Sequence, residues 1–110
     1  MEPGDHPDAA YYLYLPLKDN AGKHFGQKKF KRVQRELRTR FGGCTFSRCP
    51  KKGHWVHKGV TYEDDVYEVE VWIARTRENL QWLSNYRKIL ARRFKQIEIG
   101  AKIVAIGVPE

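Results

Sequence analysis

From Asp65 to Ala74 the chain alternates at every residue, with Tyr67, Val69, Val71 and Ile73 on one side and Glu68, Glu70 and Trp72 on the other. A period of two predicts a β-strand with one face in a core. Its length and β-branched content favour a central position in a sheet. Tyr11 to Leu17 alternates too: Tyr11, Leu13, Leu15 and Leu17 face one way, Tyr12, Tyr14 and Pro16 the other. Cys44 to Cys49 reads as a further strand. Ile97 to Ile106 reads as the last, with Ile97, Ile99, Ala101, Ile103 and Ala105 on one face and Val104 and Ile106 on the other. Between Cys49 and Glu63, His54–His57 and Val60–Tyr62 suggest a small hairpin extension.

Between the first two strands the period changes to that of a helix. Phe30, Val33, Leu37 and Phe41 form one apolar stripe, Gly26 can serve as N-cap, Phe25 and Phe30 have the spacing of a hydrophobic staple, and Gly42-Gly43 ends the segment. A second helix is predicted from Arg77 to Lys95, capped by Thr76, with Asn79 in place of the Glu or Gln of a full capping box. Leu80, Leu83, Tyr86, Leu90 and Phe94 are its sheet-facing stripe. Trp82 and Ile89 widen the apolar arc beyond what a single core stripe needs.

The order is therefore β-α-β-β-α-β. Two right-handed crossovers place both helices on one face of a four-stranded antiparallel sheet, a ferredoxin-like α+β sandwich with strand order 4-1-3-2. Residues 1–9, rich in Pro, Gly and Asp, read as a flexible tail, and 10–108 as a single domain.

A chain of 110 residues, 41% hydrophobic and 13% aromatic, can bury a small core. No apolar run approaches a membrane span and MEPGDHPDAA has no signal-like region, so the expectation is a cytoplasmic protein without membrane attachment. Two cysteines make no disulfide framework. The net charge of +8 points to an anionic partner, nucleic acid or an acidic protein. That charge is clustered. Lys28, Lys31, Arg32, Arg35 and Arg38 form a basic face on the first helix, and Lys88, Arg92 and Lys95 lie away from the core on the second. Lys28 and Lys29 occupy the first turn, where the helix dipole disfavours cations, which suggests an external anionic contact.

Four stretches also carry a resemblance: Leu15-Pro16-Leu17-Lys18-Asp19-Asn20-Ala21-Gly22, Arg40-Phe41-Gly42-Gly43-Cys44-Thr45, Gly53-His54-Trp55, and Arg93-Phe94-Lys95-Gln96 followed by Ile97 and Ile99. Over about residues 12 to 105 the chain resembles a family of small bacterial proteins of unknown function with the pattern LPL-x-DN-x-G, RFGG-x-T, G-x-W and RF-x-Q. The resemblance implies the ferredoxin-like fold and a bacterial source, and supplies no catalytic residues. It also implies an apolar residue where Cys44 stands, which argues against a shared metal role.

Three groups of residues are candidates for chemistry. Cys44, Cys49, His54 and His57 are zinc-ligand types within 14 residues, yet their spacing matches no common zinc module. In one extended strand the two cysteines point to opposite faces, so a buried free thiol and exposed histidines are expected, with no metal or cofactor. Tyr12, Tyr14, Glu68, Glu70 and Trp72 share the sheet face away from the helices. Aromatics there suit stacking on nucleic-acid bases, but the two glutamates repel phosphate, so pairing with a second copy of the chain is the better reading. Asp19, Asn20 and His24 share a loop that reads as turn chemistry. No nucleophile motif, phosphate loop or paired-acid signature is present. The leading reading is a non-catalytic accessory module that self-associates as a homodimer through its open sheet face. The alternative is sequence-independent nucleic-acid binding on the basic helical face, and the third a small enzyme with a sheet-face acid and tyrosine pocket.

Overall fold

The computed structural model describes residues 6–49, 55–57, 60–62 and 66–107. Strand β1 (Ala9–Pro16) lies between β5 (Val66–Ile73) and β6 (Gly100–Ala105), and β2 (Thr45–Cys49) borders β5 on its far side. All these pairings are antiparallel, and the order β2-β5-β1-β6 is the expected 4-1-3-2. β3 (Trp55–His57) and β4 (Val60–Tyr62) pair antiparallel in a separate two-stranded sheet.

The β1–β5 register sets Leu13 opposite Val69, Tyr11 opposite Val71 and Ala9 opposite Ile73. These side chains are buried beneath α1 (Gln27–Phe41), which contributes Phe30, Val33 and Leu37, and α2 (Arg77–Arg93), which contributes Leu83, Tyr86 and Leu90. Phe94 is fully buried, with Phe25 edge-on to it at 5.1 Å and Phe30 tilted on it at 5.5 Å. The expected Phe25–Phe30 staple is thus built around a third ring from the other half of the chain.

Local chemistry sets the element ends. Gly42 takes φ 92°, a left-handed conformation that costs a Cβ-bearing residue strain, and its N–H donates to the Arg38 carbonyl at 2.8 Å. The Thr76 hydroxyl accepts from the Asn79 N–H at 3.1 Å, and the Asn79 side chain donates back to the Ala74 carbonyl at 2.8 Å. The Asp19 carboxylate accepts from the Ala21 and Lys23 N–H groups, both at 2.9 Å, closing the loop after β1.

Four sequence expectations shift. Helix α2 ends at Arg93, because the chain reverses through Lys95 at φ 54°. The last strand starts at Gly100, so Ile97, 72% exposed, belongs to the connection while Ile99 is buried. Leu80, 37% exposed, lies at the margin of the core stripe. Lys29 has an internal use: its ammonium donates to the Arg93 carbonyl at 2.6 Å and sits over the rings of Phe25 and Phe94. A cation misplaced for the dipole of α1 is well placed for the C-terminal end of α2.

Truncating Leu37 or Leu90 to alanine should each cost about 2–5 kcal/mol, the range for emptying a buried leucine site. Urea unfolding measures this, and a loss below about 1 kcal/mol would mean the sites are not core.

Candidate functional site

The register that buries one face of β1 and β5 assembles the other. Trp72, Ala10 and Val104 form a row at one end; Thr45, Glu70, Tyr12 and Lys102 form the next; Ser47, Glu68, Tyr14 and Gly100 the third. Tyr12, Tyr14, Glu68, Glu70 and Trp72 therefore stand together, as expected. The Tyr14 hydroxyl donates to Glu68 Oε2 at 3.0 Å, and the Trp72 indole N–H donates to Glu70 Oε2 at 2.7 Å. Lys102, absent from the sequence reading, places its ammonium 4.9 Å from the centre of the Tyr12 ring. Burial, then the hydrogen bond and charge of Glu68, push the Tyr14 hydroxyl far above its usual range, so it stays a neutral donor. Tyr12 is raised by desolvation and then by Glu70 and Glu68. Trp72 and Val104 are 56% and 45% exposed, so the end row is apolar and open. Ring faces interleaved with carboxylates suit a cation with flat apolar parts.

On the helical side, Lys28, Lys31, Arg32, Arg35 and Arg38 are all exposed, with Arg32 3.7 Å from Glu36. Lys88 and Arg92 line a cleft of about 370 Å³ on the flank of α2 with Ser84 and Ile97, and Lys95 is exposed at the left-handed turn. A groove of about 620 Å³ runs between α1 and α2, lined by Arg35, Arg40, Trp82, Tyr86 and Ile89 among others. The Trp82 ring stacks on Tyr86 at 4.7 Å, meets Phe41 edge-on at 5.4 Å, and has the Arg40 guanidinium 5.6 Å from its centre. This groove is where the widened apolar arc of α2 lies.

Glu36, the one acid of α1, anchors the groove. It accepts two hydrogen bonds from Arg93, at 2.5 and 2.6 Å, and one from the Tyr86 hydroxyl at 2.8 Å. The Arg93 bonds hold its carboxyl below the usual value, against the opposing effect of burial. Nothing in the local sequence announces this pair, whose members are 57 positions apart.

Cys44 faces the core and Cys49 the open sheet face, as alternation requires; Cys44 is raised by desolvation. The side chains of His54 and His57 lie outside the described residues. Among the described residues no cluster of three or more His, Cys, Asp or Glu side chains gathers for a metal, and no helix is long and apolar enough to cross a membrane.

These elements define a ferredoxin-like α+β protein. No family model matches the chain and no curated protein matches it. Among solved structures it is similar to a phage SAM lyase in complex with S-methyl-5'-thioadenosine, with 13% identity and a TM-score of 0.59 over 98% of this chain and 88% of that one. At that identity the likeness speaks for the fold.

Glu36 supplies a pH prediction. A carboxylate with a depressed folded pKa adds stability that is present above its unfolded value and lost as pH falls through the folded one. The urea midpoint should drop more steeply below about pH 5 in the wild type than in Glu36→Gln. Parallel curves would deny Glu36 this role.

Proposed function

We propose that the open sheet face binds an adenosine-bearing sulfonium or thioether of the S-adenosylmethionine class, that the protein acts on it as a small lyase, and that copies of the chain pair over the apolar end of that face. The observation that carries the reading is the hydrogen-bonded set Tyr14–Glu68 and Trp72–Glu70 on one face, with Tyr12 between them and Lys102 at its edge. A sulfonium is a cation that keeps apolar substituents, so it gains from carboxylates and from aromatic faces at once. The purine ring offers a surface that Tyr12 or Trp72 can stack on. The Lys102 ammonium is a donor for the polar end of such a molecule, and the Tyr14 oxygen, whose proton goes to Glu68, can accept from it. The fold is that of a phage lyase whose structure holds S-methyl-5'-thioadenosine, and this ligand class comes to the present chain as part of the proposal.

Self-association is the second element of the reading. Trp72 and Val104, exposed beside buried Ala10, make an apolar end to an otherwise polar face. A second copy covering that end would deepen the shallow face and keep water from the carboxylates.

Isothermal titration with S-methyl-5'-thioadenosine and chromatography of S-adenosylmethionine incubated with the protein test the ligand and the reaction. Saturable binding is expected, together with cleavage of the bond between sulfur and the amino-acid side chain, the electron pair staying on sulfur to give the neutral thioether while the four-carbon fragment closes on its own carboxylate and leaves as a lactone. Glu70→Gln should weaken binding on the order of tenfold or more, the usual scale for one charge-assisted contact. No binding of either compound at millimolar concentration sinks the ligand assignment; binding without turnover returns the protein to a non-catalytic module. By sedimentation the wild type should be larger than a monomer and Trp72→Glu a folded monomer. A wild-type monomer at high concentration ends the pairing idea.

A further inference from the structure

We infer that the groove between α1 and α2 is a binding site for single-stranded nucleic acid, with Trp82 as the base-stacking ring and Arg35 and Arg40 as phosphate contacts. The site is separate from the open sheet face, on the other side of the molecule.

Charge selects the partner. The groove's one lining acid is Glu36, and Arg93 already neutralises it through two hydrogen bonds. Arg35 and Arg40 line the same groove and are exposed. The row from Lys28 to Arg38 along α1 continues the positive charge for about 15 Å at the rise of an α-helix. That length exceeds one phosphate group, which argues for a polymer over a free nucleotide. Lys29 is accounted for by the end of α2, but Lys28, in the same unfavourable first turn, points into solvent with Lys31 and Arg35.

The rings select the form of that polymer. Trp82 is half-buried, stacked on Tyr86 and set at right angles to Phe41, with the Arg40 guanidinium over its ring, so its position is already fixed and a base would meet it where exposed Arg40 now lies. The Arg40 guanidinium, now over Trp82 and donating to Asn79 Oδ1 at 3.1 Å in an exposed bond, can exchange that contact for a phosphate or stack on the base. Exposed Ile89 adds apolar contact. A duplex hides its base faces, whereas a single strand offers them. A basic groove with an aromatic floor therefore favours single strands, without sequence preference.

The test is fluorescence anisotropy with a labelled oligothymidylate of about 15 nucleotides, within the span of one single-strand site. A duplex of equal length and an acidic polyglutamate peptide are the comparisons, in a salt series starting near 50 mM. The single strand should bind more tightly than the duplex and the peptide. Trp82→Leu, which leaves an apolar side chain against Phe41 and Tyr86 but no ring, should weaken it on the order of tenfold. Arg35→Gln with Arg40→Gln should flatten the log–log salt slope by about two units. Since Trp82 also packs on the core, a Trp55→Phe, Trp72→Phe chain gives a second reading: adding oligothymidylate should quench the one remaining indole. Equal affinity for duplex without quenching, equal affinity for polyglutamate, or no binding near 50 mM salt would each overturn the inference.

Discussion

The pairing register of β1 with β5 is the constraint on which the rest depends. A strand alternates with a period of two, so slipping this pair by one residue would exchange its faces. Leu13 opposite Val69 commits one face to the helices, and Tyr12 opposite Glu70 then follows on the other without further choice. Core and candidate site are two consequences of one alignment. Burial of Leu13, Leu15, Val69, Val71 and Ile73 fixes the site rigidly. The stabilising energy lies on the face where no chemistry is proposed, which leaves the open face free to carry carboxylates and rings.

A second dependence ties the two halves of the chain together. Phe94 closes the core beneath Phe25 and Phe30, and Lys29 holds the carbonyl of Arg93 just before it. Glu36 grips the Arg93 side chain from the same helix. The start and middle of α1 are thereby fastened to the end of α2. The groove between the helices owes its shape to this clamp, and the clamp consumes the groove's acid. What remains facing solvent is basic and aromatic.

The fold was legible in the sequence because its strongest signals were local. The runs at Tyr11–Leu17 and Asp65–Ala74 have a period of two, and Phe30, Val33 and Leu37 have a helical period, so strand order and helix placement followed. The end of α2 was not legible, since Lys95 turns the chain left-handed where no glycine marks the stop. Ile97 and Ile99 mimicked the parity of a strand, although only Ile99 is buried. Tyr12, Tyr14, Glu68, Glu70 and Trp72 could be grouped by parity, but their hydrogen bonds and the contribution of Lys102 needed the register between strands. Lys29 shows a limit of dipole reasoning: its partner is 64 positions away, and an internal contact looked like a request for an external one.

The proposal places a sulfonium or thioether ligand on the open sheet face and not on the helical side. The most direct measurement is a nuclear magnetic resonance titration with S-methyl-5'-thioadenosine, following the indole N–H signals and the tyrosine rings. Trp72, whose N–H is held by Glu70, and the rings of Tyr12 and Tyr14 should shift together while Trp82 stays still. Shifts confined to Trp82 and Tyr86, or none at saturating ligand, would contradict it.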